Sequence, residues 1–377
     1  MATQILASPA KESDPKLQHR VLIGIDTHKN NHVAFAIDYR GGTLAEIIVP
    51  ACLLGYEALL EWALELAGGV VSGLAFGIEG TGSYGAGLSR YLMVAGCTVR
   101  DINRIDKSTR RRRGKDDSID AEAAARSLLA GTALTIPKAG NAGVEMIRML
   151  NNVRESAIHS RTKAINQLRG LVVVADPALR EELAGMPTAT LIEHCSTLEP
   201  EANDSLRTST HNCLRILASR WLTLTAEIEE LAAELDQLTK TVAPALRDAY
   251  GVGLECAAVL LVAAGDNPER IRSEASFAAL CGASPLPASS GNTTRHRLNR
   301  GGNRRANRAL WRIAITRMCW HPATKEYVER RTGEGKTKRE IMRCLKRYIA
   351  REIFRLLKSM TLGNPLPSNG SAAVVEA

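Results

Sequence analysis

The chain has 377 residues, of which 45% are hydrophobic and 24% charged, so it is long enough for two or three domains and too apolar to be disordered throughout. Lys and Arg outnumber Asp and Glu by 49 to 40, and the formal net charge of +9 favours a polyanionic partner. Between residues 292 and 358, 20 Lys and Arg stand against 5 Asp and Glu. Such a block indicates a phosphate-binding surface, although a basic patch alone is also typical of a solvated surface.

The eight cysteines show neither a Cys-x-x-Cys pair nor another metal-ligand spacing, which is typical of reduced cysteines in a cytoplasmic protein. Residues 1–19 are polar, lack the apolar segment of a secretory signal and are expected to form a loose tail. The longest nearly apolar run, residues 256–265, is much shorter than the roughly 20 residues of a membrane-spanning helix. We therefore expect a soluble, cytoplasmic protein with no membrane partner.

Residues 20–135 carry alternating strand and helix patterns. Strands are predicted over residues 21–25, 32–37, 43–49, 74–78 and 98–102, and helices over residues 55–67, 83–95 and 117–129. The order is strand, strand, strand, helix, strand, helix, strand, helix. This order is typical of an α/β ribonuclease H-like (RuvC-like) domain, in which the ends of the first and fourth strands lie side by side.

Residues 140–248 predict a helical arm. Long amphipathic patterns over 144–174 and 214–246 fit the two helices of an antiparallel coiled coil, and pairing with a second protomer is equally allowed. Residues 177–204 between them are rich in Pro, Glu and Thr, which predicts a variable tip or linker.

Residues 249–358 predict a mainly α C-terminal domain. The turn at residues 251–253 (GVG) precedes a helix over 257–264 and resembles a helix-hairpin-helix element, which presents backbone N–H groups to phosphates. Glycines also open helices for steric reasons alone. A helix over 276–281, a loop over 282–300 and basic helices over 303–320 and 338–358 follow, before a loose tail over 359–377.

Four acidic residues form the candidate catalytic centre. Asp26 follows the first predicted strand and Glu79 the fourth, while Asp117 and Asp120 are three positions apart and share a face of the third helix. Oxygen ligands of this kind suit Mg²⁺ or Mn²⁺, and two such ions can stabilise the attacking and leaving oxygens of phosphoryl transfer. The alternatives are a strand-end cap for Asp26 and helix capping for the other pair.

Basic side chains accompany these acids along the sequence. His28, Lys29 and His32 are near enough to Asp26 to contact a phosphate. A basic loop between the fifth strand and the third helix is also expected to contact phosphates, through Arg110, Arg111, Arg112, Arg113 and Lys115.

Three short stretches resemble the acidic motifs of the DEDD transposases of bacterial insertion sequences, the family numbered one hundred and ten and related to the Piv DNA invertase. They are GIDTHK at 24–29, IEGTGSY at 78–84 and KDDSIDA at 115–121. The second region of that family is similar to residues 252–310, including GVG at 251–253, FAALCG at 277–282 and SSG at 289–291. The resemblance spans most of the chain.

The resemblance implies a RuvC-like domain with a divalent metal at the four acids, a coiled coil and a C-terminal transposase domain that together cut and rejoin donor and target double-stranded DNA. It also implies a bridge RNA that pairs with both DNAs. The serine nucleophile falls on Ser290, with Ser289 as the alternative because the hydroxyl cluster is shifted from the usual pattern. Nucleophile and metal site would meet by folding or across a dimer or tetramer. The DNA or RNA backbone would be held by Arg295, Arg297, Arg300, Arg304, Arg305 and Arg308.

Three rival functions stay open at this point. A RuvC-type endonuclease or Holliday-junction resolvase would hydrolyse DNA with water and keep its activity when Ser290 is replaced by alanine. A sugar-kinase-like ATPase would use residues 24–27 as a phosphate loop, and it leaves the basic block without a role. A non-catalytic nucleic-acid scaffold would be unaffected by replacement of Asp26 or Glu79.

Overall fold

The computed structural model describes residues 20–102, 116–133, 135–140, 143–199, 205–267, 270–291 and 296–360. Several predicted features lie outside these residues: Arg110, Arg111, Arg112, Arg113, Lys115, Arg295, the expected tail at 1–19 and residues 361–377 of the tail expected over 359–377. Residues 359 and 360 of that expected tail instead belong to the last helix. The chain divides into two compact units, residues 1–141 and 142–377. Among the described helices, none combines the length and the apolar character needed to cross a membrane.

The first unit contains a five-stranded mixed sheet. Its elements are β1 (Val21–Thr27), β2 (Asn31–Asp38), β3 (Thr43–Pro50), α1 (Leu53–Leu66), β4 (Leu74–Glu79), α2 (Ala86–Val94), β5 (Thr98–Ile102) and α3 (Asp117–Leu129). The strand order is β3-β2-β1-β4-β5, with β1 antiparallel to β2 and parallel to β4. Strand β5 is parallel to β4. The predicted mixed α/β sheet of the N-terminal region is thereby confirmed, with the predicted order of elements.

Alternation along the strands separates the two faces of this sheet. Ile23 of β1 and Ile78 of β4 are fully buried in a core that also includes side chains of α1 and α2. Leu22 and Ala75, at the intervening positions, pack on the other face with Ala125 of α3. Helix α3 therefore covers the face that the other two helices leave free.

Helix α3 contacts the sheet through its backbone. A Cβ atom on Gly24 would lie 2.0 Å from the carbonyl oxygen of Ala121 and 2.2 Å from the amide nitrogen of Ala125. A Cβ on Gly77 would lie 3.0 Å from the side chain of Leu128. Glycine in β1 and β4 thus permits a close approach that any larger residue would prevent. This approach brings the first turn of α3 close to the end of β1.

Replacement of Gly24 by alanine is expected to lower the free energy of unfolding of the first unit by about 3 kcal/mol or more, the upper end of overpacking costs, because helix backbone atoms cannot rotate aside. The control is Gly82→Ala, since nothing lies within 4 Å of a Cβ at Gly82. Urea unfolding of the full chain followed by circular dichroism should show a lower midpoint for Gly24→Ala alone. Equal midpoints would contradict the close packing of α3.

The described part of the second unit is mainly helical, as predicted. Its helices are α4 (Gly143–Val174), α5 (Pro177–Leu183), α6 (Thr188–Ser196), α7 (Ser205–Val242), α8 (Pro244–Asp248), α9 (Leu254–Ala264), α10 (Glu274–Leu280), α11 (Arg304–Trp320), α12 (Pro322–Gly333) and α13 (Lys338–Met360). An antiparallel ribbon of β6 (Leu286–Pro287) and β7 (His296–Arg297) lies within the predicted loop. Helix α7 begins earlier than its apolar pattern predicted, and α12 was not predicted.

Helices α4 and α7 run antiparallel. Val144 and Ile147 at the start of α4 share a core with Leu235 near the end of α7. Leu168 near the end of α4 packs instead with Leu214, which lies in the first half of α7. The antiparallel helix pair predicted from the sequence therefore forms within one chain.

Residues 177–196 do not form the linker predicted from their composition. The carboxylate of Asp176 accepts a hydrogen bond from the amide of Leu179 at 3.1 Å and caps α5. Pro177 stands in the first turn of α5, where an N–H would have no intrahelical partner. Leu183 and Ile192 are buried against side chains of α4 and α7. The linker prediction was wrong because apolar packing outweighs the content of Pro, Glu and Thr. The other predicted alternative, a tip, agrees with packing against the end of α4 and the first half of α7.

Candidate metal centre and serine loop

The register of β1 and β4 brings two carboxylates to one edge of the sheet. Ile25 lies beside Ile78 in the parallel pair, so Asp26 and Glu79 follow at the same end. Both isoleucines are buried on the face covered by α1 and α2, and the next side chains therefore point to the α3 face. The hydroxyl of Thr27 donates to the backbone oxygen of Glu79 at 2.8 Å and joins the two strand ends.

The first turn of α3 adds two further carboxylates. Asp116 is the N-cap, and its side chain accepts from the amide of Ser118 at 3.3 Å. Asp120 is buried with 2% exposure, whereas Asp117 is partly exposed. The negative charges of Asp117 and Asp120 both act on Asp26. The structure thus gathers three of the four predicted acids, and Glu79 lies at the end of the neighbouring strand.

Asp26, His28 and Asp117 offer three ligand atoms within 4.8 Å of one another, and neither Glu79 nor Asp120 contributes an atom to this group. The Nε2 atom of His28 lies 3.1 Å from Oδ2 of Asp26 and 3.2 Å from Oδ2 of Asp117. The imidazole therefore bridges two carboxylates. The sequence predicts phosphate contact for His28, which stands one residue beyond the end of β1.

Burial raises the pKa of Asp26, the charge and hydrogen bond of His28 lower it, and repulsion by Asp117 and Asp120 raises it further, with a net upward direction. A divalent cation would relieve this repulsion between neighbouring carboxylates. The donor set is mainly oxygen with one imidazole nitrogen, which fits a divalent metal of the Mg²⁺ or Mn²⁺ class. The chemistry of these residues therefore suits the metal site predicted from the sequence.

Two basic neighbours of Asp26 differ in accessibility. Lys29 is exposed in the turn after β1. His32 is fully buried and stacks on Tyr56, with ring centroids 5.8 Å apart. His32 therefore cannot contact a phosphate, and this prediction was wrong because the alternating pattern of β2 places the side chain inside the sheet.

The loop predicted over residues 282–300 carries Ser289 and Ser290 and is called the serine loop here. It follows α10 in the second unit. Ser289 and Ser290 are both exposed, and Gly291 adopts the left-handed backbone conformation at a φ of 54°. Nothing lies within 4 Å of a Cβ on Gly291. Both hydroxyl-bearing residues are thus accessible to solvent next to this glycine. Residues 292–295 of the serine loop lie outside the described residues.

Asn307 of α11 holds the base of the serine loop. Its side-chain amide donates to the backbone oxygens of Cys281 at 2.8 Å and Gly282 at 3.1 Å. Its side-chain oxygen accepts from Nζ of Lys346 at 2.9 Å. A Cβ on Gly302 would lie 2.2 Å from the amide nitrogen of Gly282, so the two ends of the loop touch through their backbones. The sequence carried no signal for this link.

Four of the arginines predicted to contact phosphate are exposed and have no ion pair among the described residues: Arg297, Arg300, Arg304 and Arg308. Arg305 differs, since its guanidinium lies 2.6 Å from the carboxylate of Glu155. Exposed guanidinium groups present several donors in a geometry that suits phosphate oxygens. The arginine positions are therefore compatible with the predicted contact to a nucleic-acid backbone.

Comparison with known proteins relates both units to transposases. Residues 23–177 match the DEDD transposase model of IS110 elements, and residues 243–329 match the model described as transposase of the IS116/IS110/IS902 family. A segment of 148 residues is 32% identical to a Streptomyces coelicolor protein described as the uncharacterized 43.6 kDa protein of insertion element IS110. That match covers 38% of this chain and 36% of the relative.

The fold and the acidic cluster define a protein with a mixed α/β unit, a mainly helical unit and a candidate divalent-metal centre. The two family models together match more than half of its residues. The chain belongs to the IS110 family of transposases, as the motifs of the sequence indicated. This membership argues against the sugar-kinase-like alternative.

Asp26→Asn and Asp117→Asn are each expected to weaken Mn²⁺ binding by more than about tenfold, because each removes a charged ligand oxygen. Asp116→Asn is the matched control, since asparagine preserves the helix cap and Asp116 is outside the ligand group. Mn²⁺ binding to the full chain would be followed by electron paramagnetic resonance. Equal affinity in all three variants would contradict the assigned site.

Asn307→Ala and Asn307→Asp are both expected to loosen the serine loop, because each removes the donor that satisfies the Cys281 and Gly282 oxygens. Asn307→Asp keeps an acceptor for Lys346, whereas Asn307→Ala does not. If exchange of the loop rises equally in both variants, the cause is the lost donor and not the lost contact with Lys346. Hydrogen–deuterium exchange of residues 280–291 measures the loosening. Exchange at the wild-type rate in both variants would show that Asn307 does not hold the loop.

Proposed function

We propose that the protein is a DNA transposase that cleaves and rejoins donor and target double-stranded DNA under the direction of a bridge RNA. The observation that carries this proposal is the cluster of Asp26, His28 and Asp117 in a member of the IS110 family. The strand order with β1 at the centre supports a RuvC-like, ribonuclease H-like fold for the first unit. Gly24 supports the same proposal, because it lets α3 carry its acids to the end of β1.

The residues of the acidic centre would hold Mg²⁺ or Mn²⁺. Asp26 and Asp117 supply oxygen atoms, while His28 either ligates through Nε2 or rotates away from the two carboxylates. Asp120 adds negative charge beside Asp26, and Asp120 and Glu79 are the further proposed ligands. When bound, the metal stabilises charge on phosphate oxygens and lowers the pKa of a coordinated hydroxyl.

Ser290 is the proposed nucleophile, with Ser289 as its alternative. Its hydroxyl oxygen attacks the phosphorus of a phosphodiester, so an oxygen–phosphorus bond to serine forms while the bond to a deoxyribose oxygen breaks. The serine proton is lost, and the leaving oxygen gains a proton to become a hydroxyl. Attack by a hydroxyl of another DNA strand reverses these steps, joins the strand and frees the serine. The covalent link conserves the bond energy needed for rejoining.

This mechanism requires the serine loop and the acidic centre to act on the same phosphate, within one chain or across a dimer or tetramer. Exposed Arg297, Arg300, Arg304 and Arg308 would hold the nucleic-acid backbone close to the loop. Asn307 would keep Ser290 in a constant position by holding the loop base.

A RuvC-type endonuclease or resolvase is the second candidate. It is favoured by the location of the acidic cluster, since all of its ligand atoms come from the first unit. Such an enzyme activates water with the metal, needs no serine and forms no covalent intermediate. The two candidates therefore differ in one observable, a protein–DNA adduct.

We expect wild-type protein, incubated with matched donor DNA, target DNA and RNA, to form an adduct that survives a denaturing gel. Ser290→Ala should abolish the adduct because it removes the attacking oxygen, whereas the adjacent Ser289→Ala should retain it. Asp26→Asn should reduce the adduct through loss of the metal. An adduct that persists in both serine variants would refute the nucleophile assignment, and cleavage without any adduct would support the resolvase.

A further inference from the structure

Trp311 is one of four tryptophans in the chain, and it stands partly exposed, at 47%, in the middle of α11. The helix contains five arginines and no acidic residue. Arg304, Arg308, Trp311 and Ile315 recur at intervals of three and four, so they share one exposed face. The opposite face is buried in the core of the second unit, as with Ile313. This exposed stripe combines an aromatic ring with positive charge.

Trp311 also lines an open groove with a volume of about 440 Å³. The other walls include Arg154 of α4, Leu254 and Glu255 at the start of α9, and Arg312 and Ile315 of α11. Gly253 also lines the groove, and nothing approaches within 4 Å of a Cβ position there. The groove therefore offers a planar ring and aliphatic side chains with open access from solvent, within the size range of small-ligand sites.

The arginines in and beside the groove differ in whether they form ion pairs. Glu255 forms ion pairs with both Arg154 and Arg312, so one carboxylate stands between two guanidinium groups. Arg304 and Arg308 continue the stripe along the preceding turns of α11, and neither has an ion pair among the described residues. Turns of a helix are about 5.4 Å apart, so these guanidinium groups follow a line that a nucleic-acid backbone can contact.

We propose that this face of α11 binds an unpaired nucleotide, whose base stacks on the indole of Trp311 while neighbouring phosphates contact Arg304 and Arg308. An unpaired base is required because bases within a duplex do not offer their faces to a protein side chain. The aliphatic side chains of Leu254 and Ile315 cover the edge of the base. The inference rests on the proposed function and adds a subsite for single-stranded nucleic acid in the second unit.

An apolar protein partner fits this surface less well. The stripe exposes the apolar side chains of Trp311 and Ile315 between several arginines, and docking of an apolar helix would remove those charges from water without supplying acids. A polyanion with aromatic bases complements both features at once. Charge complementarity therefore selects the nucleic acid as the occupant.

The test is a titration of the full chain with a short single-stranded oligothymidine, followed by fluorescence anisotropy of a dye on the oligomer. Trp311→Ala is expected to weaken binding between about fivefold and a hundredfold, the range for loss of one base–aromatic stack. Trp311→Phe should retain most of the affinity because phenylalanine also stacks. Trp320→Ala is the control, since Trp320 is 72% exposed nine positions further along α11, on roughly the opposite side of the helix.

Wild-type affinity in Trp311→Ala would overturn the inference. Self-association of the wild type in the absence of oligothymidine, if Trp311→Ala abolishes it, would also overturn the inference. Such a result would identify a second copy of the chain as the occupant. The adduct assay keeps the two proposals distinguishable. Trp311-dependent binding without any adduct in the wild type contradicts the proposed function alone, whereas Trp311-independent binding with a normal adduct contradicts this inference alone.

Discussion

The backbone contact between α3 and β1 at Gly24 is the constraint on which the candidate metal centre depends. With a hydrogen atom in place of a side chain, the strand lies directly against Ala121 and Ala125. The carboxylates at the end of β1 and in the first turn of α3 must then converge, and burial together with their mutual repulsion raises the pKa of Asp26. A fold that confines acids in this way stores an electrostatic cost that a divalent cation relieves.

The second unit carries the proposed nucleophile on an exposed loop whose base is held in place. The loop exposes Ser290 to solvent, whereas its base is joined by Asn307 and by the contact between Gly282 and Gly302. An exposed hydroxyl can reach a phosphate on a large substrate such as DNA. A defined base limits the number of directions in which the hydroxyl points, and this limits the entropy lost at the transition state.

The proposed recognition of nucleic acid by α11 has two physical contributions. The exposed arginines attract phosphates irrespective of sequence and depend strongly on salt concentration. Stacking on Trp311 depends on an accessible base face and is much less sensitive to salt. A protein that handles both duplex and unpaired strands gains discrimination from this division, because only the unpaired strand makes both kinds of contact.

The sequence by itself determined the order of strands and helices in the first unit, the acidic motifs around Asp26 and Asp117, and the family, because hydrophobic periodicity and short motifs are local properties. For residues 177–196 composition suggested a variable tip or a linker, and it missed the helices that pack on α4 and α7. Only the tertiary structure decided that His28 joins the carboxylates, that Asn307 holds the serine loop and that Trp311 lines a groove. Each of these depends on how elements pack in space, and the spacing of residues along a chain does not specify such contacts.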